Sequence, residues 1–320
     1  MVNYTRNSLF VKFGRIFQDG YKYLSFLDYF VTVPLLLKKK NSVPLVCIVA
    51  PPRSGSTLTY QSLIGQINNF HLTNIWNLLY ATPAIGALVS RFTCRNYKSA
   101  FQSHNGFVPG VCGESEGMKF WTHWSGQSLV QSEGALDVEK LSKLYSALQK
   151  VGQNKVFISG YLGHAFSMNA LRRVFPDIIF IHVTRDLLSN AYSIYQRSGS
   201  GWFSLKPETL QGKTFHSTHE QVVEQLFAIH AAILQSSKSS DTMQIKYEEI
   251  CEDPQAAIDK IIGFSAQQSV ELEKSADTIQ CFQTKKVTSS TNSDTRCLQQ
   301  FIDKKILERS QNSGFFQSIS

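Results

Sequence analysis

The chain has 320 residues, 42% of them hydrophobic, with a formal net charge of +8 and a pI near 9.1. That length holds one α/β domain with long insertions or two domains, and the apolar content excludes a chain too polar to bury a core. The basic balance excludes an acidic, anion-repelling surface and points to nucleotide, acidic glycan, lipid head group or nucleic acid as partner.

The first forty residues carry seven basic and two acidic side chains among many aromatics, ending in Lys38, Lys39 and Lys40 beside Leu35, Leu36 and Leu37. Two readings stand: a segment resting on an anionic membrane surface, or an N-terminal helix packed on the domain with a solvated lysine cluster. The apolar stretch 24–37 contains Asp28 and Pro34 and is short for a bilayer span, so neither a cleavable signal peptide nor a Golgi-type anchor is expected. Cys47, Cys94, Cys112, Cys251, Cys281 and Cys297 show no regular spacing and no C-x-x-C pair. The expectation is no disulfide framework and a reducing, cytoplasmic location, with peripheral membrane contact through residues 1–40 as the variant.

From residue 41 onward, β-branched runs at 43–49, 155–159, 178–183 and 243–247 are each followed by helical periodicity. This alternation predicts a P-loop-type α/β fold: a parallel sheet with helices on both faces in one domain over 41–320, with an insertion at about 68–150. Ligands of such sheets sit at the carboxyl ends of the strands, which gives weight to motifs that follow strands.

The first such motif is "IVAPPRSGSTLTYQSL", residues 48–63. Ser54, Gly55, Ser56 and Thr57 are small enough for backbone N–H groups to face an anion at the start of a helix over 58–66, and Arg53 adds a full positive charge. A nucleoside triphosphatase would place lysine where Ser56 stands, so the loop keeps the anion cradle and lacks the triphosphate residue. Further on, "HNGFVPGVCGESEGMKFWTHW", residues 104–124, gathers two carboxylates, two histidines and two tryptophans in a loop leading to a helix, a composition suited to an active-site wall.

The second motif, "FPDIIFIHVTRDLLSNAYSIYQRS" at 175–198, reads as a buried strand, a turn at Thr184-Arg185-Asp186, and a helix. Arg185 at the strand end and Ser193 two turns into the helix form a second anion site, or Arg185 pairs with a nearby carboxylate and Ser193 is a surface residue. The segment "IKYEEICEDPQAAIDKIIGF" at 245–264 is read as a strand holding Ile245 and Tyr247, then a helix started by Asp253-Pro254.

These three segments together resemble the sulfotransferases that use 3′-phosphoadenosine 5′-phosphosulfate (PAPS), over roughly residues 43–265. The resemblance implies that Arg53, Ser54, Gly55, Ser56 and Thr57 bind the 5′-phosphosulfate, that Arg185 and Ser193 bind the 3′-phosphate, and that Tyr247 lies near the adenine or serves packing. It implies no metal and no role for nucleic acid. Arg53 would stabilise the transferring sulfonate, and Glu116 resembles the glutamate base of carbohydrate-type members, with His123, Glu114, His164 and His104 as rivals. The acceptor implied is a hydroxyl on a glycan or glycolipid. Many members carry a lysine before the second motif where this chain has "VFISGYLGHAF", and "FQTKKVTSSTNSDTR" at 282–296 is either a loop closing on the 3′-phosphate through Lys285 or Lys286, or a solvated linker. Trp76, Trp121, Trp124 and Trp202 suit sugar stacking or core packing. Two other classes stay open: a P-loop nucleoside or small-molecule kinase, and a non-catalytic basic protein binding membrane or nucleic acid.

Overall fold

The computed structural model describes residues 26–28, 42–103, 106–126, 130–131, 136–153, 155–198, 202–275, 279–284 and 286–310. The N-terminal segment apart from 26–28, together with His104 and Lys285, lies outside the described residues.

The central strand β1 (Leu45–Val49) is apolar at every position and buried at every position. Side chains alternate between the two faces of a strand, so burial without alternation requires cover on both faces, as in parallel α/β sheets. Helix α1 (Ser56–Gln66) follows, then a short strand β2 (Asn69–His71), helices α2 (Asn74–Leu78), α3 (Pro83–Thr93), α4 (Met118–Ser125) and α5 (Val138–Val151), and strand β3 (Val156–Ser159). Next come α6 (Met168–Val174), the long buried strand β4 (Ile178–Thr184), α7 (Leu187–Ser198), α8 (Thr218–Ser236), strand β5 (Thr242–Lys246), α9 (Tyr247–Glu252), α10 (Pro254–Gln267) and α11 (Ser293–Ser310). The five strands form one parallel sheet in the order β2-β3-β1-β4-β5, with Val46 of β1 opposite Ile158 on one side and Ile179 on the other.

Each strand expected from the β-branched runs is present, with ends shifted by one or two residues. Strand β2 was not expected; its three residues are only partly buried, as befits an edge, and leave no long apolar run in the sequence. Tyr247 opens helix α9 instead of ending a strand, because β5 stops at Lys246. Asp253 does start α10 as expected, its carboxylate accepting the Ala256 N–H at 2.9 Å with Pro254 in the first turn.

The main core wraps the sheet and includes the fully buried Trp76, Trp121, Phe120, Phe157 and Phe175. Trp76 and Trp121 therefore serve packing. A second, smaller core joins α7, α8 and α11 through Leu188, Ala191, Ile194, Val222, Leu226, Leu298 and Ile302. Among the described residues no helix is long and apolar enough to cross a membrane.

Cys94 and Cys112 form a disulfide, with Cα atoms 5.3 Å apart. No disulfide framework is expected from the sequence; this one bond stands beside four free cysteines and removes that support for a reducing compartment. The sequence gives no clue because tertiary contacts create the pairing: the Asn74 side chain donates to the Val108 and Gly110 carbonyls, and Ile75 N–H donates to the Val111 carbonyl, which lays the 108–113 turn beside the end of α3. Replacing both cysteines by serine should lower the unfolding free energy by about 3 kcal/mol, the loop-closure contribution expected for a ring of this size. Urea unfolding of the wild type and of the double variant measures it; no change would show that the turn is held by the Asn74 bonds alone.

Candidate active site

All five strands run in one direction, so the segments leaving β1, β3, β4 and β5 emerge at a single edge of the sheet. After β1 the chain enters 51–55, where Arg53 takes φ 66° and Gly55 φ 91°, both left-handed. Gly55 has to be glycine for a second reason: a Cβ built there would stand 2.1 Å from Cδ2 of Tyr247. The turn delivers the chain into α1 with no side-chain cap and no acidic residue in the first turn, leaving the positive end of the helix to face the loop.

The second motif grips the first. Arg53 Nε donates to Ser193 Oγ at 3.1 Å, and Arg185 Nη1 donates to the Arg53 carbonyl at 2.9 Å. Asn190 Nδ2 donates to Ser54 Oγ at 2.9 Å and to the Pro52 carbonyl at 3.2 Å. Arg185 also lies over the Tyr247 ring, 4.8 Å from its centroid. The separate anion sites read from the sequence are thus joined into one construction around Arg53. The Asp186 carboxylate accepts the Ser189 N–H at 2.8 Å and caps α7.

Three guanidinium groups converge here. Arg53 falls below its ordinary pKa through burial and through the fields of Arg197 and Arg185, with Glu116 and Tyr247 opposing. It remains charged at neutral pH all the same. Arg197 was missed in the sequence reading, although it follows Ser193 by four residues and so shares its face of α7. Like charges gathered at a helix N-terminus form a site that a multivalent anion would stabilise.

Glu116 approaches the same turn from the segment between α3 and α4. Three ties fix its segment: Tyr60 Oη donates to the Ser115 carbonyl at 3.2 Å, Ser115 N–H donates to the Leu72 carbonyl at 2.8 Å, and Thr57 Oγ1 donates to Glu116 Oε1 at 3.1 Å. Glu116 is neither fully buried nor exposed by surface area, yet the protein packed around its carboxyl pushes its pKa up to about 7. The Thr57 hydrogen bond and the Arg53 charge pull the other way and are outweighed.

The rival bases stand elsewhere. Glu114 is buried and accepts from Tyr97 Oη at 3.1 Å and Gln61 Nε2 at 3.4 Å. His164 is buried with its Nε2 2.8 Å from Ser159 Oγ, its ring edge-on to Trp121, and burial lowers its pKa to about 3. His123 sits at the far end of α4 between Tyr80 and Trp124, with its pKa lowered by burial and by Lys140. None of these three shares a hydrogen bond with Arg53, Thr57 or Arg185 among the contacts seen.

Beyond Arg185 the strand ends open into a cleft of about 490 Å³, lined among others by Lys246, Glu248, Thr284 and Lys286. The segment before α11 is fastened to α7: Val287 N–H donates to Ser189 Oγ at 3.0 Å and Asn292 Nδ2 to Tyr192 Oη at 2.9 Å. Most of its described residues are exposed, so the segment is solvated yet tied to α7 at these two points.

Residues 44–266 match the profile of the Sulfotransferase family. The chain belongs to that family. No curated protein matches it by sequence. Among solved structures, the sulfotransferase is similar to STF1 from Mycobacterium tuberculosis H37Rv, at 12% identity over 92% of this chain and 80% of that one, with a TM-score of 0.46. It is also similar to STF9 from Mycobacterium avium, at 12% identity over 86% and 70% with a TM-score of 0.47, and to a sulfotransferase from Alicyclobacillus acidocaldarius, at 12% over 85% and 96% with a TM-score of 0.42.

In this sulfotransferase, Gly55→Ala should destabilise the fold by about 1–3 kcal/mol from backbone strain alone, with the Tyr247 clash added. Thermal unfolding of Gly55→Ala and of Gly55→Ala/Tyr247→Ala separates the two. The double variant should lose the steric part and keep the backbone part, and full recovery would refute the strain.

Proposed function

We propose that the enzyme transfers the sulfuryl group of PAPS to a hydroxyl of a glycan or glycolipid, with Glu116 as general base. The observation that carries the reading is the Glu116 carboxyl, with a pKa near 7, hydrogen-bonded to Thr57 of the anion loop and electrostatically coupled to Arg53. A group with that pKa is half ionised at neutral pH and strong enough to accept a proton from an alcohol as it attacks.

The residues divide the work by position. The N–H groups at the start of α1, with Ser54, Gly55, Ser56 and Thr57, hold the 5′-phosphosulfate. Glu116 takes the acceptor proton while the acceptor oxygen bonds to sulfur and the bond from sulfur to the 5′-phosphate oxygen breaks. Negative charge develops on that leaving oxygen, and Arg53 stabilises it. Arg185 and Ser193 bind the 3′-phosphate, with Arg197 adding to the field. Tyr247 packs on the loop and borders the adenine, and the insertion at about 68–150 forms the acceptor wall. This chemistry asks for no metal. A binding protein without catalysis does not account for a carboxyl of raised pKa beside the loop, and against a magnesium-dependent kinase, which would also use a carboxylate base, stands Ser56 in place of the loop lysine.

Adenosine 3′,5′-bisphosphate should raise the melting temperature in the presence of EDTA, and ATP with magnesium should not. Arg185→Ala should weaken the bisphosphate about ten- to a hundredfold more than it weakens a nucleotide lacking the 3′-phosphate, which loses only the support that Arg185 gives the Arg53 carbonyl. Equal losses for the two ligands would refute the assignment of Arg185.

Turnover should rise with pH through about 7 as Glu116 ionises, and Glu116→Gln should abolish it while leaving bisphosphate affinity intact. The same shift predicts a stability effect of definite sign. The folded pKa lies above the unfolded one, so the protonated carboxyl's contribution is complete below about pH 4.5 and is lost as pH rises through about 7. Glu116→Gln should remove that loss in pH-dependent unfolding, and a variant with wild-type turnover would move the base to another residue.

A further inference from the structure

Four large hydrophobic side chains in residues 92–118, the stretch that carries the candidate base, stand in water: Phe92 is 81% exposed, Phe107 57%, Val111 62% and Met118 53%. Two ties collect them on one rim. The Cys94–Cys112 bond brings Phe92 and Val111 together, since each lies within two residues of a bridged cysteine. Gly106 covers the Glu116 carboxyl so closely that a Cβ there would stand 2.9 Å from Oε1, which brings the chain at Phe107 beside the chain that leads into Met118 at the start of α4.

The exposed charged residues of the same stretch are basic. Between residues 91 and 119 the basic residues are Arg91, Arg95, Lys98 and Lys119, and the acidic ones are Glu114 and Glu116. Arg95, Lys98 and Lys119 are exposed, whereas Glu114 is buried and Glu116 faces Thr57. Apolar and aromatic side chains in water, surrounded by outward lysine and arginine, match the head-group layer of an anionic bilayer. A protein interface of this kind would be depleted in lysine. At the start of helix α3 the Asp28 carboxylate accepts the Ala84 and Ile85 N–H groups, next to the exposed Phe26 and Leu27.

We propose that this rim is a membrane-contact face, seated on bilayers that contain anionic lipid, and that it turns the Glu116 side of the site toward acceptors held in the bilayer. The orientation toward acceptors rests on the reading of Glu116 given above; the membrane contact itself does not.

The test is sedimentation of the full chain with vesicles of phosphatidylcholine alone and of phosphatidylcholine mixed with phosphatidylserine. The wild type should bind the mixed vesicles and bind the neutral ones poorly. Phe92→Ser/Phe107→Ser/Val111→Ser/Met118→Ser should weaken binding at least about tenfold, and Arg95→Glu/Lys98→Glu/Lys119→Glu should remove the preference for anionic lipid. Phe92→Ser alone, at the most exposed of the four sites, should still weaken binding measurably should the fourfold variant fail to fold. In Phe107→Trp, brominated acyl chains should quench fluorescence beyond the wild-type level, and no extra quenching would overturn the orientation. A wild type that ignores mixed vesicles, or a fourfold variant that binds them equally well, would overturn the face. Bisphosphate affinity measured on the same samples keeps the two readings apart: vesicle binding without nucleotide binding would defeat the donor assignment and leave the face standing.

Discussion

Arg53 is fastened through its backbone and its side chain at once, and the rest of the site depends on that. Its carbonyl accepts from Arg185, its Nε donates to Ser193, and the residues on either side are tied to Asn190. A non-glycine residue in the left-handed region carries a cost of about 1–3 kcal/mol and persists where its surroundings over-determine it. Here the surroundings are the helix that follows β4. The loop after β1 and the helix after β4 consequently form a single rigid unit, and the parallel register of the two strands puts them at the same height.

That arrangement gathers positive charge where nothing apolar could compensate it. Arg53, Arg185 and Arg197 repel one another, and burial makes the repulsion more costly for Arg53. Glu116 offsets part of this field, although its own burial holds its pKa near 7 and so halves the compensation at neutral pH. A site of this kind is preorganised for an anion with more than one charge: the protein has already met the cost of assembling the donors, and binding releases it.

The sheet was legible because β1, β3 and β4 are short and nearly continuous in apolar residues, as burial on both faces requires, while β5 alternates Met243 and Ile245 with Gln244 and Lys246. Its edge strand β2 was not, since Asn69, Phe70 and His71 carry no periodic signal. Both loop motifs could be read because the chemistry sits in consecutive residues after a strand. What could not be read was their mutual grip: the Arg53–Ser193 bond spans 140 positions, and no local pattern encodes it. The disulfide escaped for the same reason, its partners meeting only after Asn74 has anchored the turn. Glu116 was preferred to Glu114 on resemblance alone, for two carboxylates two positions apart look alike in sequence; in the structure Glu114 meets Tyr97 and Gln61 and Glu116 meets Thr57. Tyr247 was assigned to the wrong element because a strand end and a helix start share the same residue types there.

On the proposed reading, the balance at Glu116 also gives the two substrates an order of influence. Three effects set its pKa: burial raises it, while the Thr57 hydroxyl and the Arg53 charge lower it. A donor carrying several negative charges would neutralise the Arg53 field and place like charge beside the carboxylate, and both changes raise the pKa further. The base would thus be stronger but less ionised once the donor is in place. An acceptor hydroxyl that hydrogen-bonds to the ionised carboxylate would reverse part of that rise. The carboxylate then reaches its reactive form with both partners present, and water, lacking the contacts of the acceptor wall, would be a poorer competitor for the sulfuryl group. A wall made from a segment clamped by Tyr60, Leu72 and Thr57 suits that role, because the base cannot move away from the loop that holds the donor.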